Sequence, residues 1–301
     1  MNENFETLFE NSKYSQDLTK GQIVHADVID ITSDHAILNS GLKSESVVAI
    51  NQFKNQEGEI FQKKTQFKGW TIDNVLHHIH VWNVAADMSL VSDEKIMKFL
   101  ENFFNAVNKG YNPRQYEKEL SNDKTGKDLL CLWKESYEKM TENFKNSDPK
   151  RRVKWAGPDM SVISSITARL METWSHGQEV YDMIGVKRVD TDRIKNVVII
   201  GINTFGWTFI NRSQDVPGEV PNIILKSPSG KIWEWNPENK ENKILGDATD
   251  FCQVVTQVRN IDDTNLLVEG EVAQLWMSIA QCFAGPPEDP PLKGTRFTHN
   301  G

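Results

Sequence analysis

Between residues 70 and 185 the apolar residues recur at the spacing of amphipathic helices, and this pattern limits the fold more than any other feature of the sequence. Thr71 is a suitable N-cap for the first of these helices, and a loop containing Pro149 and Gly157 precedes the last one. Helices of this kind, joined in succession, bury their apolar faces in a bundle. The spacing predicts helices over 72–86, 96–107, 127–144 and 161–184.

The segments on either side of this bundle have a mixed pattern. Near the N-terminus, Phe5, Leu8 and Phe9 predict a short helix over 4–12, and three short strands follow in QIVHADVIDI, HAILN and SESVVAI. Beyond the bundle, helical and strand patterns alternate before a Pro-rich end. We therefore expect an α+β multidomain protein. Its parts are a partial β fragment (1–60), a helical bundle (61–190), a small α+β domain (191–287) and a loose tail (288–301).

Composition and charge exclude several classes of protein. The 301 residues include nine Trp and fourteen Phe, too many for a disordered chain, and no run approaches the ~18 apolar residues of a membrane span. No signal peptide is evident, and Cys131, Cys252 and Cys282 form no CxxC pair, so we expect a cytoplasmic protein with reduced thiols. The formal net charge is −8, and residues 1–60 hold ten acidic residues against four Lys. Such a segment repels phosphate, which argues against nucleic-acid binding.

Two histidine-containing motifs are candidates for metal binding. In LHHIH, His77 is expected opposite the apolar face of its helix, toward solvent, with His78 and His80 on the two flanks. In the last helix of the bundle, Glu172 and His176 are four residues apart, so their side chains lie one turn apart on the same face. One flanking His with this pair would form a His₂Glu set, which suits zinc with an open coordination position. The alternative, from spacing alone, is a solvated polar face.

Two segments that contain these motifs resemble a known family. KTQFKGWTIDNVLHHIHVWN and VKWAGPDMS…TARLMETWSHGQEVYD resemble the first and last helices of the mycothiol-dependent maleylpyruvate isomerase N-terminal domain, a DinB-like bundle. The resemblance implies that His78, Glu172 and His176 bind zinc. The later segments FINRS, DFCQVVTQVRN and FAGPP are similar to a subfamily sometimes labelled with a wyosine base formation domain. The resemblance covers about residues 64–287.

The N-terminal segment resembles a different protein. LFENSKYSQDLTKGQIVHADVIDITSDHAILNSGLKSESVVAINQF is similar to the first OB-fold repeat of the largest protein of the bacterial small ribosomal subunit, and GLKSES is its most specific part. An OB fold has five strands, whereas three are expected here. Single-strand binding also needs exposed aromatic and basic side chains. Between Gly21 and Ile50 there is no Phe, Tyr or Trp, and Lys43 is the one basic residue.

The leading hypothesis is a zinc-dependent enzyme of thiol transfer or thiol-assisted isomerisation. Its partners would be a low-molecular-weight thiol, which need not be mycothiol, and a small carboxylate-bearing electrophile bound between the bundle and the C-terminal domain. Arg212 and Arg259 are candidates to bind that carboxylate, because Arg makes bidentate contacts; the alternative for each is a structural ion pair. The competing hypotheses are an RNA-binding OB module and a non-catalytic metal-binding protein.

Overall fold

The structure is a computed structural model that describes residues 26–32, 35–39, 46–49 and 60–299. The chain divides into two units, Met1–Phe61 and Gln62–Gly301. In the first unit, the described residues form an antiparallel sheet in the order β1-β2-β3. The helix expected over 4–12, with Phe5, Leu8 and Phe9, lies outside the described residues. The three strands of the sheet are β1 (Asp27–Ile31), β2 (His35–Asn39) and β3 (Ser46–Ala49).

The second unit begins with a bundle of five helices. Between the fourth and the fifth helix, the two-residue strands β4 (Arg152–Val153) and β5 (Met160–Ser161) pair antiparallel. The first helix is central, since it packs against each of the other four. The helices are α1 (Ile72–Val91), α2 (Asp93–Asn108), α3 (Pro113–Leu120), α4 (Gly126–Lys145) and α5 (Val162–Met183).

Local sequence explains where α1 begins and ends. The Thr71 hydroxyl accepts a hydrogen bond from the Asn74 amide, and the Asn74 side chain accepts one from the Thr71 amide, which makes a complete capping box. The helix runs five residues past the expected end at residue 86. No Gly or Pro interrupts it before Ser92, whose hydroxyl caps α2 by accepting from the Lys95 amide.

Helix α3 was not expected from the apolar spacing. Pro113 occupies its first turn, and the Asn112 side chain accepts a hydrogen bond from the Arg114 amide at 2.8 Å. Tyr116 and Leu120 are its only large apolar residues, and one such pair in PRQYEKEL is too few to predict a helix from apolar spacing. Its N-terminal signals are nevertheless strong, and they alone could have indicated the helix.

The C-terminal part is a mixed α+β structure, as expected. Its four-stranded sheet has the order β7-β6-β8-β9, in which β6 and β8 are parallel and the other pairs are antiparallel. The strands are β6 (Asn222–Lys226), β7 (Ile232–Trp235), β8 (Lys243–Asp247) and β9 (Leu267–Glu269). The helices are α6 (Lys195–Asn203), α7 (Phe205–Ile210), α8 (Ala248–Val255) and α9 (Glu271–Ile279), with 3₁₀ turns at Asp192–Ile194 and Ile261–Asp263.

A single apolar core joins α5 to this C-terminal part. Met171 and Trp174 on α5 pack in the same buried cluster as Val197 of α6, Ile223 of β6 and Trp276 of α9. These side chains are all buried. The last helix of the bundle therefore contributes to the core of the segment that follows it.

The expectation of a loose tail over 288–301 is wrong for the part that the structure describes. Residues 288–299 form no helix or strand, but they are hydrogen-bonded to the rest of the unit. The Thr298 hydroxyl donates to Asp182 at 2.8 Å, and Arg296 donates to the Gln257 carbonyl at 2.7 Å. Buried acceptors thus hold a segment whose composition alone suggests disorder.

Among the described residues, no helix is long and apolar enough to cross a membrane.

Candidate metal centre

The structure brings together the three residues that the motifs singled out. His78 projects from α1, and Glu172 and His176 project from α5. One potential ligand atom from each lies within 4.8 Å of the other two. The Nε2 atoms of His78 and His176 are 3.4 Å and 3.5 Å from the same oxygen, Oε2 of Glu172. Two helices distant in sequence therefore place two imidazole nitrogens and a carboxylate oxygen around one point.

These spacings are compatible with a shared metal ion. Hydrogen bonds between an imidazole and a carboxylate are usually about 2.7–3.2 Å long, so 3.4 Å and 3.5 Å are long for such bonds. Ligands about 2.1 Å from a tetrahedral zinc ion lie about 3.4 Å from one another. The donor set also has the composition that zinc prefers, and three protein ligands leave a fourth position open.

The site lies mostly inside the protein. The side chains of His78, Glu172 and His176 are 16%, 20% and 11% exposed. The alternative of a solvated polar face on α5 is therefore wrong, because this face packs against α1. Burial lowers the pKa of His176, which favours the neutral imidazole that a metal requires.

The carboxyl group of Glu172 is kept ionised by its neighbours. Burial acts to raise its pKa, but hydrogen bonding to His176 and His78 and the charge of Arg169 together hold the pKa well below its usual range. Arg169 is itself buried, and its Nε donates to Asn83 on α1 at 2.9 Å. The ionised carboxylate is the form in which Glu serves as a metal ligand.

His78 is oriented by a carboxylate on its far side. Its Nδ1 lies 2.9 Å from Oε1 of Glu117, which is fully buried on α3. A carboxylate accepts, so Nδ1 donates its proton to Glu117, and Nε2 faces Glu172. The same oxygen accepts from Trp82 Nε1 at 3.1 Å and from Arg114 Nη2 at 3.0 Å. Burial acts to lower the pKa of His78, but Glu117 and Glu172 outweigh it and raise that pKa.

Aromatic side chains cover the ligands on another side. The indole of Trp70 stacks on the imidazole of His176, and the ring of Phe67 meets that imidazole edge-on, with centroids 5.2 Å apart. The guanidinium group of Arg114 lies 3.9 Å from the centroid of the Trp70 ring, a cation–π contact. Arg114 is 24% exposed, so a cation lies beside the site within reach of solvent.

The other two histidines of LHHIH lie outside this cluster. His77, expected to face solvent, is 2% exposed, so that expectation is wrong. Glu117 and Lys118 on α3 and Asp123 in the turn after it are close enough to influence the charge of His77. Burial lowers the pKa of His77 to about 4. His80 Nδ1 is 2.9 Å from the Ser136 hydroxyl on α4.

Arg212 and Arg259 are occupied elsewhere by internal partners. Both Nη atoms of Arg259 lie 2.7 Å from the two carboxylate oxygens of Asp182, a buried bidentate pair. Arg212 donates to the backbone oxygens of Ile279 and Glu288. The arginines beside the ligands are instead Arg114 and Arg169. Sequence analysis missed both, although Arg169 lies one turn before Glu172 on the same helix.

The chain is similar in sequence to several known proteins. The sequence model of the family Mycothiol maleylpyruvate isomerase N-terminal domain matches residues 55–181. Uncharacterized protein Rv0036c of Mycobacterium tuberculosis is 34% identical over 226 residues, which are 74% of this chain and 86% of that protein. A crystal structure of the mycothiol-dependent maleylpyruvate isomerase matches with 14% identity and a TM-score of 0.43, covering 72% of this chain and 85% of that one.

The N-terminal part is similar to a different protein. Small ribosomal subunit protein bS1 of Neisseria meningitidis is 40% identical over 73 residues, which are 24% of this chain and 13% of that protein. The OB-fold fragment and the wyosine-type C-terminal region stay predictions. The match at residues 55–181 shows that this part of the chain belongs to the Mycothiol maleylpyruvate isomerase N-terminal domain family, and the identity and coverage of the mycobacterial protein show that it and this chain belong to one family.

Proposed function

We propose that the protein holds one zinc ion through His78, Glu172 and His176 and uses a low-molecular-weight thiol to transform a small carboxylate-bearing electrophile. The observation that carries the proposal is the pair of 3.4 Å and 3.5 Å separations that join both imidazoles to one oxygen of Glu172. Family membership adds that the thiol is mycothiol or a chemically similar compound.

The surrounding residues have separate tasks in this proposal. A zinc ion with an open position lowers the pKa of a thiol that binds to it, so the thiol reacts as the thiolate at neutral pH. Glu117 fixes the tautomer of His78, and Phe67 and Trp70 exclude water from one side of the ligands. We assign to Arg114 the carboxylate-binding role that the sequence suggested for Arg212 and Arg259, because Arg114 is both charged and partly exposed beside the ligands.

The metal assignment is tested by the metal content of the purified full chain. We expect about one zinc ion per chain, and loss of that zinc in His78→Ala, Glu172→Gln and His176→Ala, because two remaining ligands bind zinc weakly. His77→Gln is the matched control, since His77 precedes His78 on α1 but lies outside the cluster. Full zinc content in all three ligand variants would contradict the assignment.

The catalytic assignment needs a second experiment. The zinc-loaded chain is incubated with mycothiol and maleylpyruvate, and then with other thiols and other unsaturated carboxylates, while loss of substrate is followed. Turnover that needs the thiol and falls in Arg114→Gln supports the proposed enzyme. Tight zinc binding with no turnover of any pair would favour the competing hypothesis of a non-catalytic metal-binding protein.

A further inference from the structure

The C-terminal segment 288–299, here called the C-terminal strap, forms hydrogen bonds and an ion pair with the turn before α1. The backbone N–H of Phe297 donates to Oε1 of Gln66 at 2.8 Å, and the other end of that amide lies 3.1 Å from His299 Nε2. Lys68 Nζ is 2.8 Å from Glu288 Oε1. Residues more than 200 positions apart in sequence therefore meet at one short turn.

Arg296 of the strap contacts the Phe67 ring of this turn. Its guanidinium group lies 5.0 Å from the centroid of the Phe67 ring, in a cation–π contact. Nη1 donates to the Gln257 carbonyl at 2.7 Å and lies 3.3 Å from Oε1 of Glu179. The side chain of Arg296 is only 12% exposed. Hydrogen bonding to the Gln257 carbonyl and pairing with Glu179 therefore hold the guanidinium group against the Phe67 ring.

The strap is also anchored to the helix that carries two of the candidate ligands. The Thr298 hydroxyl donates to Asp182 Oδ1 at 2.8 Å, and the His299 amide donates to the Asp182 carbonyl at 3.0 Å. Asp182 lies on α5, six residues after His176. The strap therefore ties the turn before α1 to α5.

The turn that the strap holds carries the aromatic roof, which we define as Phe67 and Trp70. Backbone hydrogen bonds close the turn on itself, with the Thr65 amide donating to the Trp70 carbonyl at 2.7 Å. Lys68 and Gly69 both have positive φ, at 50° and 67°, so the chain reverses tightly between the two aromatic residues. The rings contact each other at 4.8 Å between centroids, and both contact the imidazole of His176.

We infer that Arg296 is a positioning residue that, acting through Phe67, holds the aromatic roof against His176. The chain of contacts runs from the buried acceptors of Arg296 to Phe67, and from Phe67 to Trp70 and His176. Without the Arg296 guanidinium, the Phe67 ring keeps only the more distant Lys68 Nζ, 5.5 Å from its centroid, and the roof becomes free to move away from the imidazole. The inference rests on the proposed function only in that both concern the same site.

The test reads the aromatic roof directly in the metal-free full chain. The protein is labelled with 5-fluorotryptophan, so that its nine Trp residues give separate ¹⁹F NMR signals, and Trp70→Phe assigns the signal of Trp70. In Arg296→Ala we expect this signal to shift or broaden while the signals of Trp residues distant from the roof, such as Trp233 and Trp235, stay in place. Arg296→Lys should restore it in part, since Lys keeps a cation near the ring.

The matched control is Lys293→Ala. Lys293 belongs to the C-terminal strap but pairs with the exposed Asp262, 3.8 Å away, so its loss should leave the Trp70 signal unchanged. If Arg296→Ala does not fold, Arg296→Gln removes the charge from the Phe67 ring while keeping an N–H donor for the Gln257 carbonyl, with the same expected result. An unchanged Trp70 signal in the folded variant overturns the inference.

A second measurement separates this inference from the proposed function. In the zinc-loaded chain, release of zinc to the chelator 4-(2-pyridylazo)resorcinol should be severalfold faster in Arg296→Ala than in Lys293→Ala. If the wild-type chain binds no zinc, the proposed function fails, while the ¹⁹F result still decides the inference. If zinc binds but the Trp70 signal does not respond to Arg296→Ala, the inference alone is wrong.

Discussion

The indole of Trp70 lies nearly parallel to the imidazole of His176, with 11° between the ring planes and 5.5 Å between the centroids. Among the described residues, Nδ1 of His176 has no hydrogen-bond partner. Stacking thus orients this ring, whereas a buried carboxylate orients the ring of His78. The two candidate histidine ligands are therefore held by different forces, one by aromatic packing and the other by charge.

Glu117→Gln should weaken zinc binding about 10–100-fold, as loss of a carboxylate behind a ligating His usually does. The amide oxygen can still accept from His78, but it lacks the negative charge that makes the imidazole a stronger donor to the metal. Competition with a chelator of known affinity measures the effect. Glu119→Gln on the exposed side of α3 is the control, because Glu119 bonds to Tyr111 and Gln115 instead. Equal affinities in the two variants would contradict this role for Glu117.

His77 should make the metal-free protein less stable in acid. Its pKa is about 4 in the folded chain against an ordinary value of 6.5, so between these pH values the unfolded chain binds more protons. The free energy of unfolding therefore falls as pH falls from about 6.5 to about 4, by about 3 kcal/mol for this group. Urea unfolding at several pH values should show a shallower decline in His77→Gln. Parallel curves for the two proteins would show that His77 does not contribute.

Glu179 should make the protein less stable as the pH rises. Burial raises its pKa from 4.5 to about 7, although Arg296 opposes this. The unfolded chain loses its proton first, so this group lowers the free energy of unfolding as pH rises from about 4.5 to about 7, by about 3 kcal/mol. Glu179→Gln is expected to unfold at higher urea than the wild type at pH 8 and to approach it near pH 4.5. A difference that does not vary with pH would rule out titration of Glu179 as the cause.

Replacement of two helical glycines by alanine should change the stability of the protein in opposite directions. A Cβ at Gly201 on α6 would lie 2.8 Å from Val255 Cγ2 and 3.1 Å from Phe251, so Gly201→Ala should cost about 1–3 kcal/mol by overpacking. A Cβ at Gly177 on α5 meets only Arg188, at 3.5 Å, so Gly177→Ala should stabilise the chain by about 0.5–1 kcal/mol. Thermal unfolding of both variants measures this. Equal shifts in Tm would contradict the packing between α6 and α8.

Residues 1–60 are expected neither to bind RNA nor to be needed for zinc binding. Their ten acidic residues against four Lys oppose the phosphate contacts that RNA binding requires. Filter binding of the full chain to single-stranded RNA at low and high salt, and zinc content of a chain lacking residues 1–60, are the two measurements. RNA affinity that is lost on deletion and weakened by salt would overturn the first expectation.

Much of the site followed from short-range sequence patterns. Thr71 marks the start of α1, and the spacing of Glu172 and His176 places both on one face of α5. The choice of His78 over His80 came from the family resemblance and not from the spacing. The extent of α1 was underestimated because the residues after 86 lose the amphipathic pattern while remaining helical up to the Ser92 cap.

The residues near the candidate ligands that sequence analysis missed belong mainly to one short helix, α3. Helix α3 has a capped start but few apolar residues, so apolar spacing could not reveal it. Glu117 and Arg114 belong to this helix, which explains why sequence analysis missed both. Likewise, the partners of Arg212 and Arg259 are distant in sequence, and no local pattern links them.

The packing of Met171 and Trp174 limits where the chain can be divided without loss of folding. One side of α5 carries the ligands, and another side completes the core around α6, β6 and α9. A helix cannot melt on one side only, because each turn shares its backbone hydrogen bonds with both. Division of the chain near residue 190 would expose Trp174 on one fragment and an incomplete apolar core on the other, so we expect residues 62–299 to fold only as one piece.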